Sequence, residues 1–416
     1  MAGPFVLILI VAGAYLAAHW AFEWLGTRYM LVSGAEYLVL GILLGPQVSG
    51  VLQVSALDAF APLMILAIGW IGASVGSEFY IPRVVRGYGA AYRVAFAEAT
   101  LAVVATGAFL TGALAWIYQL PLADTVAPAV ALGAIATVSS PAGVAMLRGK
   151  LGRRVPAVRQ IEVTTAIDAF VAIVAFSLLL CIEHGAPATG PRAPTPTEWA
   201  VISVTIGVVG GSLFHLFVGN EREIDRLFIS IAGAVILVSG AAGYLRVSPL
   251  LPAMLVGAML ANTRRNRSEI RQALRRVERP FYFVLLIFAG AAWDPGTIAW
   301  WIVPALVFVL VRVVAKLGAA RLAALLNGLT ESLGPRWGRA LLGQGGLAIA
   351  IALNYQLFHG TMLLADVVFT AAIVSVVLTD LSSARFVQSV VERYTQPAVD
   401  APTPNGPSSA LEAEPK

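Results

Sequence analysis

Asp168 stands inside an apolar run, about 160–183, that is long enough to cross a bilayer. A carboxylate at that depth costs about 2.5–3.5 kcal/mol or more unless it faces a partner, a cavity or an ion. It lies about eight residues into its helix, ~12 Å from the end, near mid-depth of a hydrocarbon core about 30 Å thick. One segment earlier the chain reads Thr137-Val138-Ser139-Ser140-Pro141. Proline lacks an N–H and breaks the helix, freeing carbonyls that survive at membrane depth only where they line a cavity or are buried in protein. Together these residues predict an interrupted helix beside a carboxylate that is open to a cation or a proton.

Further groups could serve that site. Thr164 and Thr165 precede Asp168 by four and three residues and share its helix face. Their hydroxyls either supply the oxygen ligands that hard cations prefer or bond their own backbone carbonyls. Arg312 and Lys316 lie four residues apart in the run 299–326. Lys316 either pairs with a carboxylate and exchanges a proton or snorkels to the surface; Arg312 is deeper and snorkels less easily. Glu98 and Glu162 read as interface residues reached by water and paired with arginine. Asn354 and Gln356 read as packing polars near the outer end, and Asp380 as a solvated group near the cytoplasmic exit.

The elements that must position these residues follow from composition. Hydrophobic residues make up 58% and charged residues 12% of 416 residues. Mean hydropathy is +0.81. A soluble domain carries about 25% charged residues. The chain is therefore an all-α polytopic membrane protein, and a β-barrel would show short alternating segments instead. Spans fall at roughly 4–25, 32–52, 57–77, 91–118, 125–147, 160–183, 198–219, 227–244, 247–262, 280–296, 299–326, 338–357 and 361–384, about 13 transmembrane helices. The first has no basic region before it and reads as a retained helix rather than a signal peptide.

Lys and Arg alternate between loops. Arg83/Arg86, Arg148 to Arg159, Arg222/Arg226, Arg264 to Arg279, Arg336/Arg339 and Arg385/Arg393 mark one side; the other holds little beyond Arg192 and Arg246. The positive-inside rule then puts the N-terminus outside and the C-terminus in the cytoplasm of a cell inner (plasma) membrane. The same loops account for the net charge of +5, so the basic balance gives no reason to expect nucleic acid. The tail 397–416 is rich in Pro, Ser and Ala and reads as disordered. Cys181 is the single cysteine, which rules out an intramolecular disulfide.

A Pro-rich outer loop, His184 to Pro196, divides the chain after six spans, and six more follow a linker helix. Six, one, six is the layout of an inverted repeat. The fifth helix of the second half carries Gly343-Gln344-Gly345-Gly346, opposite Ser139-Ser140-Pro141 in the first. Two broken helices at matching positions, crossing near Asp168, point to a binding site. The sequence offers no nucleophile–base pair, metal-ligand spacing or Gly-rich phosphate loop, which argues against an enzyme and against a cofactor.

Four stretches together resemble the cation:proton antiporter superfamily of the sodium/proton exchanger type. Leu38 to Pro46 looks like that family's GxLLGP helix, and Ala136 to Ala142 like its broken T-S/D-P helix. Gly257-Ala258-Met259-Leu260-Ala261-Asn262-Thr263 resembles its aGlxLaNt segment, and Gly343 to Ala348 its second broken helix. The family carries Asp-Asp or Asn-Asp in its sixth helix; Asp168 matches the second member and Ile167 replaces the first. Lys316 matches the basic residue that pairs with that first member in some relatives.

The resemblance implies an elevator-type transporter that exchanges a monovalent cation, Na⁺ first with K⁺ or Li⁺ as alternatives, for protons. Asp168 would be the ion and proton ligand, surrounded by Thr137, Ser139, Ser140, Thr164 and Thr165. Pro141, Gly343, Gly345 and Gly346 would break the two crossing helices, and Lys316 and Arg312 would be the charge partners. A core bundle (about 91–183 and 299–390) would move against a dimerising scaffold (about 4–77 and 198–296), forming a homodimer. With Ile167 in place, one carboxylate remains at the site, and the expected exchange is one for one and electroneutral. Two readings compete: a sodium-coupled organic-solute symporter with a similar core, and a membrane scaffold or sensor that kept the fold and lost transport.

Overall fold

The computed structural model describes residues 35–79, 89–152, 155–184, 194–218, 224–263, 267–294, 300–334, 336–360 and 362–395. The expected span 4–25, the tail 397–416 and the side chain of Asp380 lie outside them. Among these described residues fifteen α-helices follow in order: α1 (Ala35–Leu44), α2 (Val54–Ala59), α3 (Ala61–Glu78), α4 (Gly89–Tyr118), α5 (Leu122–Thr137), α6 (Pro141–Leu151), α7 (Pro156–Glu183), α8 (Pro196–Val218), α9 (Ile224–Tyr244), α10 (Leu250–Thr263), α11 (Arg267–Ala292), α12 (Ile302–Leu326), α13 (Thr330–Leu333), α14 (Gly346–His359) and α15 (Leu363–Thr395). A 3₁₀ turn, Trp337–Leu341, precedes α14.

Six of these helices are long and apolar enough to cross a membrane: α3, α4, α7, α8, α9 and α12. Apolar stretches of α5, α10, α11 and α15 are shorter. Helices are the expected solution because hydrocarbon offers backbone groups no other partner. The expected span 125–147 is two helices. α5 ends at Thr137, the backbone is extended through Ser140, and Pro141 opens α6 at a position where its missing N–H costs nothing. The expected span 338–357 is likewise broken: its first part is the 3₁₀ turn, and α14 begins only at Gly346.

Two groups of helices pack internally. α1, α3, α8, α9, α10 and α11 form one; α4, α5, α7, α12, α14 and α15 form the other. In the first group α3 and α10 approach closely through glycines. A Cβ on Gly72 would stand 2.5 Å from the Leu250 carbonyl oxygen, and one on Gly257 would run into the Ala73 backbone. Small residues at such contacts let helix backbones touch where apolar surroundings supply little driving force. The GxLLGP stretch serves the same end, since a Cβ on Gly45 would meet Ala291 of α11 at 2.8 Å. In the second group each helix turns one stripe inward. On α12, Ala305, Phe308, Arg312, Lys316 and Ala319 are buried at helical spacing, while Leu310 and Val314 are 66% and 64% exposed. That outward apolar face suits lipid.

Candidate ion and proton site

α7 places Asp168 on its buried stripe, in phase with Ile161, Thr164, Ala172 and Phe176. The break between α5 and α6 puts Ser139 directly against it: Ser139 Oγ donates to Asp168 Oδ2 at 2.6 Å. The same hydroxyl stands 3.0 Å from the carbonyl of Leu341, at the end of the 3₁₀ turn. The two breaks also meet backbone to backbone, with Ser140 N donating to Gly343 O at 2.8 Å. Both interruptions thus fall against one buried carboxylate.

Lys316 and Arg312 of α12 reach the same place from one helix face. Lys316 Nζ lies 2.8 Å from Asp168 Oδ2 and donates to the carbonyl of Thr137 at 2.7 Å. Arg312 donates to the carbonyl of Leu342 at 2.8 Å and to that of Val138 at 3.2 Å. These are carbonyls that the breaks released, and helix C-termini favour cations. Gln344 Nε2 donates to another, Ile135 O, at 3.0 Å, while Gln344 Oε1 accepts from Ser375 Oγ at 2.6 Å. Neither cationic side chain snorkels: Asp168, Lys316 and Arg312 are all 0% exposed.

The reading of Glu98 as a water-accessible interface residue paired with arginine is corrected. It is 0% exposed, inside a stripe of α4 with Ala95, Ala99 and Ala102. Lys316 Nζ lies 3.0 Å from Glu98 Oε1 and 3.2 Å from Oε2. The premise of a single carboxylate at the site falls with it, because Lys316 bridges two. Ile167 packs against Ala95 and Ala99 of that same helix. The signal in the sequence was an acid in register with a buried run of alanines, and only the pairing of α4 with α12 turns it into a site residue. Glu162 behaves as expected, 3.7 Å from Arg148.

Not every candidate converges. The Thr137 hydroxyl bonds its own helix at Gly133 O, 3.1 Å away, and only its carbonyl faces Lys316. Thr164 Oγ1 accepts from Gln160 Nε2 at 3.2 Å, and Thr165 Oγ1 has no hydrogen-bond partner among the described residues. Neither hydroxyl bonds Asp168. Ser140 and Pro141 shape the first break, and Gly343, Gly345 and Gly346 the second. A Cβ on Gly343 would meet Ser140 Cβ at 3.4 Å, and one on Gly345 would meet Pro141 Cδ at 3.4 Å. Asn354 and Gln356 are packing polars, bonded to Ser248 at 3.4 Å and to Asp366 at 2.6 Å.

A buried carboxylate, held by a lysine, thus stands at the meeting of two broken helices. The chain belongs to the family described as sodium/hydrogen exchanger, transmembrane, whose model matches residues 27–388. The fold is similar to that of the sodium proton antiporter MjNhaP1 from Methanocaldococcus jannaschii at pH 8. The TM-score is 0.66 at 14% identity, covering 93% of this chain and 99% of that one. An electron-microscopy structure of the same antiporter matches with a TM-score of 0.62 at 15% identity, over 95% of this chain and 100% of that one. The chain is also 30% identical over 270 residues to a glutathione-regulated potassium-efflux system protein of Haemophilus influenzae (strain Rd), covering 62% of this chain. It spans 40% of that relative's length.

Proposed function

We propose that this protein exchanges a monovalent cation for protons by competition at Asp168. One observation carries the reading. Asp168 is fully buried, its Oδ2 is held by Lys316 and Ser139, and its Oδ1 has no hydrogen-bond partner among the described residues. A buried oxygen without a partner is costly and is the natural seat of a proton or a metal cation. Lys316 acts as the resident cation, and an incoming ion must weaken its hold. Two acids, Asp168 and Glu98, and two bases, Lys316 and Arg312, balance in charge. Adding one proton or one monovalent cation shifts that balance equally, which supports one-for-one electroneutral exchange.

The cation is Na⁺ first, with K⁺ or Li⁺ as alternatives; the family supports Na⁺, and the potassium-efflux relative keeps K⁺ in view. Movement is of the elevator type, with the α4–α7 and α12–α15 group carrying the site against the other group. The α3–α10 glycine packing supports a stiff scaffold, which would also dimerise. The protein sits in the inner (plasma) membrane with its C-terminus cytoplasmic, as the Lys and Arg loops indicate.

Reconstituted vesicles that report internal pH test the reading. Addition of Na⁺, K⁺ or Li⁺ to one side should drive protons out of the other with a clear order among the ions. Na⁺ uptake that requires an organic solute and moves no protons would favour the symporter. Silence with every cation would favour a scaffold.

A further inference from the structure

Lys316 has two carboxylates, and the proposed exchange uses only one of them. Its ammonium lies between Asp168 Oδ2 at 2.8 Å and the Glu98 carboxylate at 3.0 and 3.2 Å. All three side chains are fully buried and come from three helices, α4, α7 and α12. A cation that occupies Asp168 must loosen Lys316, and a buried ammonium left with neutral carbonyls alone is heavily penalised. We infer that Glu98 is a positioning residue that receives Lys316 when Asp168 takes its ion. It fills the role that Ile167 leaves empty, from a neighbouring helix rather than the neighbouring position.

The contacts already present make the exchange short. Lys316 keeps Glu98 and the Thr137 carbonyl, 2.7 Å away, while it gives up one oxygen of Asp168. The ammonium therefore stays charged and bonded with Asp168 either empty or filled. Without Glu98 its only carboxylate among the described residues would be Asp168, and Lys316 would compete with the transported ion far more strongly. Glu98 thereby sets cation affinity without touching the cation.

This inference rests on the exchange proposed above, and one experiment separates the two. Wild type, Glu98→Gln, Glu98→Asp and the double variant Glu98→Gln/Lys316→Gln are reconstituted, and the KM for the driving cation and kcat are measured in each. Glu98→Gln should raise KM about tenfold or more, which corresponds to ~1.4 kcal/mol, while kcat falls by less than KM rises. Glu98→Asp, which keeps a carboxylate, should fall between Glu98→Gln and wild type. The double variant removes the competing ammonium together with its anchor and should lower KM again relative to Glu98→Gln. It must fold even if Glu98→Gln does not accumulate. A KM in Glu98→Gln within about twofold of wild type overturns the inference. So does a double variant that fails to fold or keeps a KM as high as that of Glu98→Gln. A wild type that moves no protons with any cation overturns the exchange itself.

Discussion

The amide of Ser140 donates to the carbonyl of Gly343 at 2.8 Å, so the two broken helices touch at their breaks. Helix interruptions in hydrocarbon need every released group to find a partner. Here four of the released carbonyls go to side chains that carry positive charge or a hydroxyl: Thr137 O to Lys316, Val138 O and Leu342 O to Arg312, and Leu341 O to Ser139. The crossing is therefore held from α12 as much as by itself.

Arg312→Met should weaken this crossing. It orphans two buried carbonyls, at about 1–3 kcal/mol each. The expected outcome is a lower unfolding temperature in detergent and little exchange. Arg312→Lys can cap only one carbonyl well and should fall between the two. Thermal unfolding followed by tryptophan fluorescence, with exchange assayed on the same preparations, checks this.

Gly346 should resist even alanine. A Cβ there would run into the ring of Tyr282, on α11 of the opposite helix group. Overpacking of this kind costs about 1–3 kcal/mol. Gly346→Ala should lose stability, and Tyr282→Ala in the same chain should recover most of it. A double-mutant cycle on unfolding temperature measures the coupling.

The site was partly legible in the sequence, for a physical reason. Asp168, Ser139-Ser140-Pro141 and Gly343-Gln344-Gly345-Gly346 stand out because charge, proline and glycine are each expensive in a membrane helix. Their cost is visible without knowing the neighbours. Glu98 was not legible. It sits ten residues into a helix of 30, where depth and face are hard to fix, and its partner lies 218 residues away in the chain. The boundary of the second break was hidden for a similar reason. Residues 337–345 leave the α-helix because Leu341 and Leu342 give their carbonyls to Ser139 and Arg312, which come from elsewhere. The threonines misled in the other direction: spacing places Thr164 and Thr165 on the face of Asp168, but the hydroxyl of Thr164 is spent on Gln160.

Competition at one carboxylate fixes the sign of the pH dependence. Protons and cations seek the same oxygens of Asp168, so the apparent KM for the cation should rise as pH falls. The limit for a one-proton competitor is about tenfold per pH unit. The maximal rate at saturating cation should move less over the same range. Initial rates across a grid of cation concentration and pH check this, and a KM independent of pH would contradict it.

Electroneutrality has its own readout. Proton-loaded and cation-loaded sites carry the same charge if Lys316 remains an ammonium between Glu98 and Asp168. The cation gradient at which net flux vanishes should then be unchanged by an imposed membrane potential. A reversal point that shifts with voltage would show that Lys316 gives up its proton during transport.

The most direct test of the account is Asp168→Asn, assayed for cation-driven proton movement in vesicles beside wild type. The amide keeps the size of the carboxylate and removes the charge for which proton and cation compete. The account predicts that the variant folds, inserts and shows no cation-driven change in internal pH while wild type does. Exchange at the wild-type rate in a correctly inserted Asp168→Asn protein would contradict it.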